Sequence, residues 1–492
     1  MWDEVNSCPI KDDAHFLLVH EELDAEYAGV PPSDLCEVEP ASKMERRMAA
    51  WREACDFGEG PATGFGVWGD AGAFSSRDSL YILLWNVITC QSIALRNKRN
   101  PFVCFSKRGM CKCPCMGRHT IDDCLRVMGY CWCVLKAGVY PLVRDDGVPF
   151  KNSNKVGDSL RAAWGAARRK TLVRGGPVQE RADWAWRKSA LGMNGWKQEG
   201  PNRRVCFKCH ASKSGTHPFT DPSRSATWRG TCVETYLFLH IALSTGAFVS
   251  AIFEWPGWGK HGCSFMEIDL MHVGCLGIVQ YLLGNVLHEL FVEMGGTSTN
   301  WKETCGHLNM LIKQAARKLD KGPPVNQLTL NMMKSGAKAP KLKAKAAESR
   351  HMLAAVCKLL ETYLPPKNDY QNTRYNCVKY LALFYEEVAD WTPGVSPAKV
   401  KDYARRHLEL YLELARHYID DLNFLDTEWV RYRWYPKHHL FSHLVDDDLA
   451  FCDNPRDCWC YGDESFLGEM IGVAEAVNAK VVHRSVMTTF RL

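Results

Sequence analysis

Apolar and polar positions alternate with one period near the start of the chain and another toward its end. Three short runs rich in apolar and β-branched residues, Gly64 to Phe74, Ser79 to Thr89 and Gln91 to Arg96, follow closely on one another and predict an antiparallel meander. Thr120 to Ala137 then carries Leu125, Met128, Cys131 and Leu135 at helical spacing. Ser264 to Leu270 reads as a further strand, followed by a helix from Gly277 to Met294. Beyond it the pattern is helical. Thr373 to Trp391 is one helix; a second opens with Ser396 as N-cap and Pro397 at N1, reaches Tyr418 and carries Leu408, Leu412 and Ala415 as its stripe. A last helix, Asp463 to Asn478, places Phe466, Met470, Val473 and Val477 on one face. Tyr236 to Phe253 runs 18 residues without a formal charge, near the lower limit for a membrane span. Its internal His240, Ser244, Thr245 and Gly246 favour a buried helix followed by a strand, so no membrane partner is expected.

Composition narrows the class. With 492 residues, 46% hydrophobic and 24% charged, the chain reads as a soluble globular protein of two to four domains, or one core with large insertions, and not as a collagenous or disordered chain. The opening Met1-Trp2-Asp3-Glu4 is acidic, unlike a secretory signal, so the 22 cysteines are read as metal ligands or buried thiols in preference to a disulfide framework. The net charge of +5 conceals an asymmetry: residues 1–60 hold 15 acidic and 5 basic residues, leaving a body that carries +15. Basic residues concentrate from Arg161 to Arg204, among Trp164, Trp184, Trp186 and Trp196, and from Lys313 to Arg350. Such stretches neutralise phosphates and stack on bases, or are solvated faces over a tryptophan core; composition weighs these evenly.

Two cysteine clusters suggest structural Zn²⁺. Cys104, Cys111, Cys113, Cys115 and His119 place five thiol or imidazole donors within 16 residues, where tetrahedral zinc needs four. The competing reading is unliganded thiols. Cys206-x-x-Cys209-His210, with His217 downstream, reads as a zinc knuckle; taken literally it also fits covalent haem attachment, which requires an export route that the N-terminus does not advertise. Cys131 and Cys133 lie on a helical pattern and read as packed. His439 and His443 stand at i, i+4, a spacing able to hold zinc, although packing is the simpler reading.

Asp269 ends an apolar strand and His272 follows three residues later. The stretch Asp269-x-x-His272-x-x-x-Leu276-Gly277-x-x-x-x-Leu282-Leu283 resembles the central signature of CACTA-type (En/Spm-like) DDE transposases. Asp70 to Ser79 is similar to that family's first strand and turn, with Ala71 where Gly is usual. Ala344 to Arg350 resembles its Lys/Glu/Arg helix, Lys437 to Leu444 its His-Leu-Leu-x-His-Leu segment, and Trp459 to Gly468 its closing stretch.

The resemblance implies an α/β fold: an RNase H-like mixed sheet with a zinc-binding insert and a large all-helical insertion. It divides the chain into an acidic leader (1–60), the first part of the core with cysteine-rich inserts at 104–119 and 206–217 (61–280), a helical insertion (281–430) and the end of the core (431–492). It implies Asp70, Asp269 and Glu464 as a carboxylate triad for Mg²⁺ or Mn²⁺, with His272 beside the metals. Asp463, Asp78 and Glu267 are the nearest substitutes. The expected activity is cleavage and strand transfer on DNA in the nucleus, with DNA as partner, a homo-oligomer as a further one, and no small-molecule substrate. The alternative is an inactive, domesticated derivative that binds zinc and DNA; the absence of a recognisable DNA-end-binding region before the core and the departure at Ala71 motivate it.

Overall fold

A computed structural model describes residues 2–3, 8–9, 15–113, 117–151, 156–193, 205–213, 215–231, 250–334, 339–391, 396–420, 431–446, 454–477 and 482–490. Most of the uncharged run from Tyr236, and Cys115 of the first cluster, lie outside them. The chain forms two compact units. The first comprises Met1–His217, Thr227–Glu267 and Cys460–Leu492; the second comprises Pro218–Ala226 and Ile268–Trp459.

The first unit is a mixed α/β structure. Its sheet contains β1 (Thr63–Ser75), β2 (Asp78–Val87), β3 (Asn100–Ser106) and β4 (Gly175–Arg181), in the order β3-β2-β1-β4. The first three are antiparallel, while β4 lies parallel to β1 with Trp68 opposite Arg181. A parallel bridge from Glu180 to Met266 extends the β4 edge. Helices α1 (Val19–Glu26), α2 (Lys43–Ala54), α3 (Arg118–Ala137), α4 (Val156–Ala166), α5 (Trp184–Ala190) and α6 (Trp258–Phe265) surround the sheet.

Aromatic rings fill the core. Trp132 of α3 packs 5.2 Å from Phe65 of β1 and 6.0 Å from Trp255, ring centre to ring centre. Gly129 admits Trp255, because a Cβ there would press on the indole, whose Nε1 donates to the Leu125 carbonyl at 2.8 Å. Burying each such ring stabilises by about 1.5–3 kcal/mol.

Several elements depart from the sequence expectations. Residues 91–96 do not form a strand: Ser92 caps the short helix Ile93–Asn97 by accepting from the Leu95 amide, and the third strand is Asn100–Ser106. In place of the strand expected over 264–270, α6 runs to Phe265, leaving the short extended stretch that bridges at Met266. The acidic leader contributes α2 to the first unit, where Trp51 is fully buried and donates to the Pro256 carbonyl.

The second unit is helical and longer than the expected 281–430. A π-helical stretch, Met271–Ile278, leads into α7 (Val279–Glu293), followed by α8 (Trp301–Arg317), α9 (Ala346–Thr362), α10 (Asp369–Asp390), α11 (Ala398–Asp420) and α12 (Pro436–Asp446). Met271–Glu293 is long and apolar enough to cross a membrane, yet 83% of its most apolar window is buried inside the protein. Around Glu289 of α7 the core turns polar. Its carboxylate accepts hydrogen bonds from Tyr370 at 2.8 Å, Tyr418 at 2.6 Å and Tyr432 at 3.1 Å, and pairs with Arg374 at 3.0 Å. The chain returns to the first unit with α13 (Tyr461–Ala476) and α14 (Val482–Thr489).

Candidate functional site

Asp70 lies on β1, two residues beyond Trp68. Continuing the parallel register from Trp68 and Arg181 by two residues brings Asp70 level with Asp183, which follows β4 and opens α5. The Asp183 side chain caps that helix, accepting from the Trp186 amide at 2.6 Å. Two glycines let helices close on β1 around Asp70. A Cβ at Gly69 would overlap the Trp186 indole of α5, and one at Gly72 would overlap Ile471 of α13. Glu464 lies in the first turn of α13 and shares a hydrogen bond with Asp70. Burial, then the charges of Asp183 and Glu464, push the Asp70 carboxyl up to about 8. Mutual repulsion of this kind is relieved by a divalent cation, for which hard carboxylate oxygens are suitable donors.

The neighbouring acids are committed elsewhere. Asp463 is fully buried and receives Arg99 Nε at 2.5 Å and both Nε and Nη2 of Arg181, at 3.1 and 3.0 Å. Arg181 also donates to Gln179 and Asn86, and its guanidinium occupies the space that a side chain at Gly66 would take. Glu267 is buried against Lys43 and Arg47 of α2 and accepts from Gln179; although burial opposes its charge, those two cations hold its carboxyl well below the usual range. Arg187 of α5 pairs with Glu180 at 2.6 Å and donates to the Glu267 carbonyl. Asp78 accepts from Ser106 at 2.5 Å. Of the two adjacent acids that open α13, Asp463 therefore anchors the helix and Glu464 meets Asp70.

Asp269 and His272 belong to the second unit. The Asp269 carboxylate caps the π-helical stretch, accepting from the Met271 and His272 amides at 2.9 and 3.1 Å, and lies 2.5 Å from His272 Nδ1. Lys437 reaches the carbonyls of His272 and Leu276. Capping accounts for an acid at this point in an apolar segment. Asp183, by contrast, is one of three acids, with Glu180 and Glu199, in the basic stretch from Arg161 to Arg204, and carries no motif of its own.

The cysteine clusters separate on inspection. Cys111, Cys113 and His119 bring their donor atoms together, with Sγ–Sγ at 3.7 Å and Cys113 Sγ to His119 Nδ1 at 3.3 Å. A tetrahedral zinc with Zn–S near 2.3 Å has donor–donor edges of roughly 3.5–3.8 Å, so this group could hold the ion. Cys104 is not part of it. Its thiol is buried on β3, donates to the His483 carbonyl at 3.5 Å, and is pushed up to about 12 by burial.

In the second cluster the Cys206 and Cys209 thiols lie within 4.8 Å of each other. Each accepts a backbone amide two residues on, from Lys208 and Ala211. His210 and His217 do not join them in any close donor group among the described residues; their rings are 6.2 Å apart and edge-on to each other. In the second unit, His439 and His443 place their rings 4.8 Å apart on the buried face of α12. These buried Cys and His pairs could hold a metal such as zinc.

No protein-family model matches the chain, and no curated protein is similar to it.

Proposed function

We propose that the first unit is a DNA nuclease and strand-transfer core using two divalent metals, in which Asp70, Asp183 and Glu464 hold the ions. The observation that carries this reading is the gathering of Asp183, just past β4, and Glu464, in the first turn of α13, around a half-buried Asp70 on the parallel strand β1. An antiparallel meander, a parallel strand and a late helix bearing the last acid are the element order expected of an RNase H-like core, and the resemblance to CACTA-type transposases supports the same reading. Asp183 takes the place first expected for Asp269, because it follows the strand that lies parallel to β1.

The chain's own contribution is placement. Asp183 is fixed by capping α5, and Glu464 is carried by a helix whose neighbouring Asp463 is tied to Arg99 and Arg181. Asp70, Asp183 and Glu464 would hold Mg²⁺ or Mn²⁺, which would activate a water or a 3′-hydroxyl of the DNA and stabilise the leaving oxygen.

The test is nicking of supercoiled DNA with Mg²⁺ or Mn²⁺. Asp70→Asn and Asp183→Asn are expected to lose activity by about 100-fold or more, while Asp269→Asn retains it. An active Asp183→Asn with an inactive Asp269→Asn would return the role to Asp269. A wild-type protein that binds DNA without cutting it would favour the domesticated, non-catalytic alternative.

A further inference from the structure

We propose that the second unit carries a phosphodiester-binding surface formed by Lys341, Arg433 and the hydroxyls of Tyr281 and Tyr435. This surface presupposes the DNA-acting reading above and adds where a strand is held. The two tyrosine rings stack at 4.0 Å between centres and 14° between planes. Lys341 Nζ lies 5.0 Å over the Tyr281 ring, and the Arg433 guanidinium is 5.7 Å from the centre of Tyr435. Among the described residues neither cation has an acidic partner and neither hydroxyl has a hydrogen-bond partner.

The backbone builds this arrangement. A Cβ at Gly284 would collide with the backbone of Lys341, so the glycine lets that segment lie directly on α7, one turn from Tyr281. The Leu342 amide donates to the Gln280 carbonyl at 2.8 Å and that of Lys341 to the Met333 carbonyl at 3.1 Å, which fixes the lysine over the ring. Half-buried without a counter-charge, the Lys341 ammonium is held below its ordinary range by burial alone. An unpaired cation kept partly from water is costly, and an incoming phosphate offsets that cost. Burial also pushes the Tyr281 phenol up to about 12, so it remains a donor at neutral pH.

The geometry distinguishes backbone from base. The rings cover each other and Lys341 lies over Tyr281, leaving edges and hydroxyls for contact. Those suit phosphate oxygens in preference to a stacked nucleobase, so the contact is independent of sequence.

Fluorescence anisotropy across a salt series, using a mixed-sequence duplex and a single strand of equal length, tests the surface. Lys341→Gln with Arg433→Gln keeps most of each side chain's packing while removing its charge. The slope of log K against log salt is expected to fall by about 1.8 for the duplex and about 1.4 for the single strand, and Lys341→Arg to restore its half. Tyr435→Phe is expected to weaken unrelated duplexes equally. An unchanged slope in the double variant, with circular dichroism and melting as in the wild type, would overturn the proposal, as would a wild type that binds neither DNA at low salt. Wild-type binding with the expected slope but no metal-dependent nicking would remove the nuclease reading and leave this surface standing.

Discussion

Asp463 and Glu464 are adjacent in the chain and opposite in use, which makes them a sharp test of the site. Asp463→Asn keeps the shape and removes the charge. A single amide oxygen remains to accept from Arg99 or Arg181, and two guanidinium groups are left beside each other with side chains only 10% and 2% exposed. Removing one partner of a buried ion pair costs about 3–5 kcal/mol. At about 2.1 cal/mol/K per residue, a unit of 291 residues shifts by roughly 1.6 °C per kcal/mol, so the expected loss is roughly 5–8 °C in Tm. Glu464→Gln works in the other direction, because it removes a carboxylate from beside Asp70. Once the Asp70 carboxyl relaxes below the ambient pH, each further pK unit returns about 1.4 kcal/mol, so metal-free protein at neutral pH should melt at the wild-type temperature or a few degrees higher. Thermal melts in EDTA and in Mg²⁺ or Mn²⁺ read both effects: added metal should stabilise wild type and Asp463→Asn but have little effect on Glu464→Gln. The reasoning fails if Asp463→Asn melts within about 2 °C of wild type, or if both variants lose stability equally in EDTA.

Gly69→Ala should cost about 1–3 kcal/mol, since the new methyl meets the Trp186 indole; pairing it with Trp186→Leu should recover part of the loss in denaturant titration. Cys113→Ser should lower zinc content by about one ion per chain in elemental analysis, whereas Cys104→Ser should leave it unchanged. Burial lowers His20 and His407 to about 4, so between pH 6.5 and about 4 the unfolded chain takes up protons that the folded one refuses. Stability should therefore fall with pH across that window, by up to about 3 kcal/mol per histidine, and His20→Phe should flatten the acid limb of a plot of unfolding midpoint against pH.

Strong periodicity made much of this fold readable: β1, β2, α3, α10, α11 and α13 lie within a few residues of where the apolar pattern puts them. The third strand escaped because it opens with Asn100-Pro101, while the apolar Ile93 and Leu95 nearby belong to a capped turn of helix. Strand β4 was hidden for a deeper reason. Its last three residues, Gln179, Glu180 and Arg181, are all at most 3% exposed, yet they are polar and buried through pairing with Arg187, Glu267 and Asp463. Hydrophobic patterning cannot register a strand whose interior is made of ion pairs, and Asp183 disappeared with it. For His210 and His217, proximity in sequence suggested ligands, but among the described residues they join no close donor group with Cys206 and Cys209.

The ion pair between Arg99 and Asp463 joins residues 364 positions apart. At roughly 5–20 residues per second, a ribosome needs roughly 20–70 s to pass from one to the other. Throughout that interval the arginines meant for Asp463 lack their counter-charge, and Asp70 lacks Glu464. The carboxylate cluster is thus completed only late in synthesis, and a product truncated before residue 463 lacks both the anchor of α13 and the carboxylate beside Asp70. The long detour through the helical unit ties completion of the first unit to synthesis past that point.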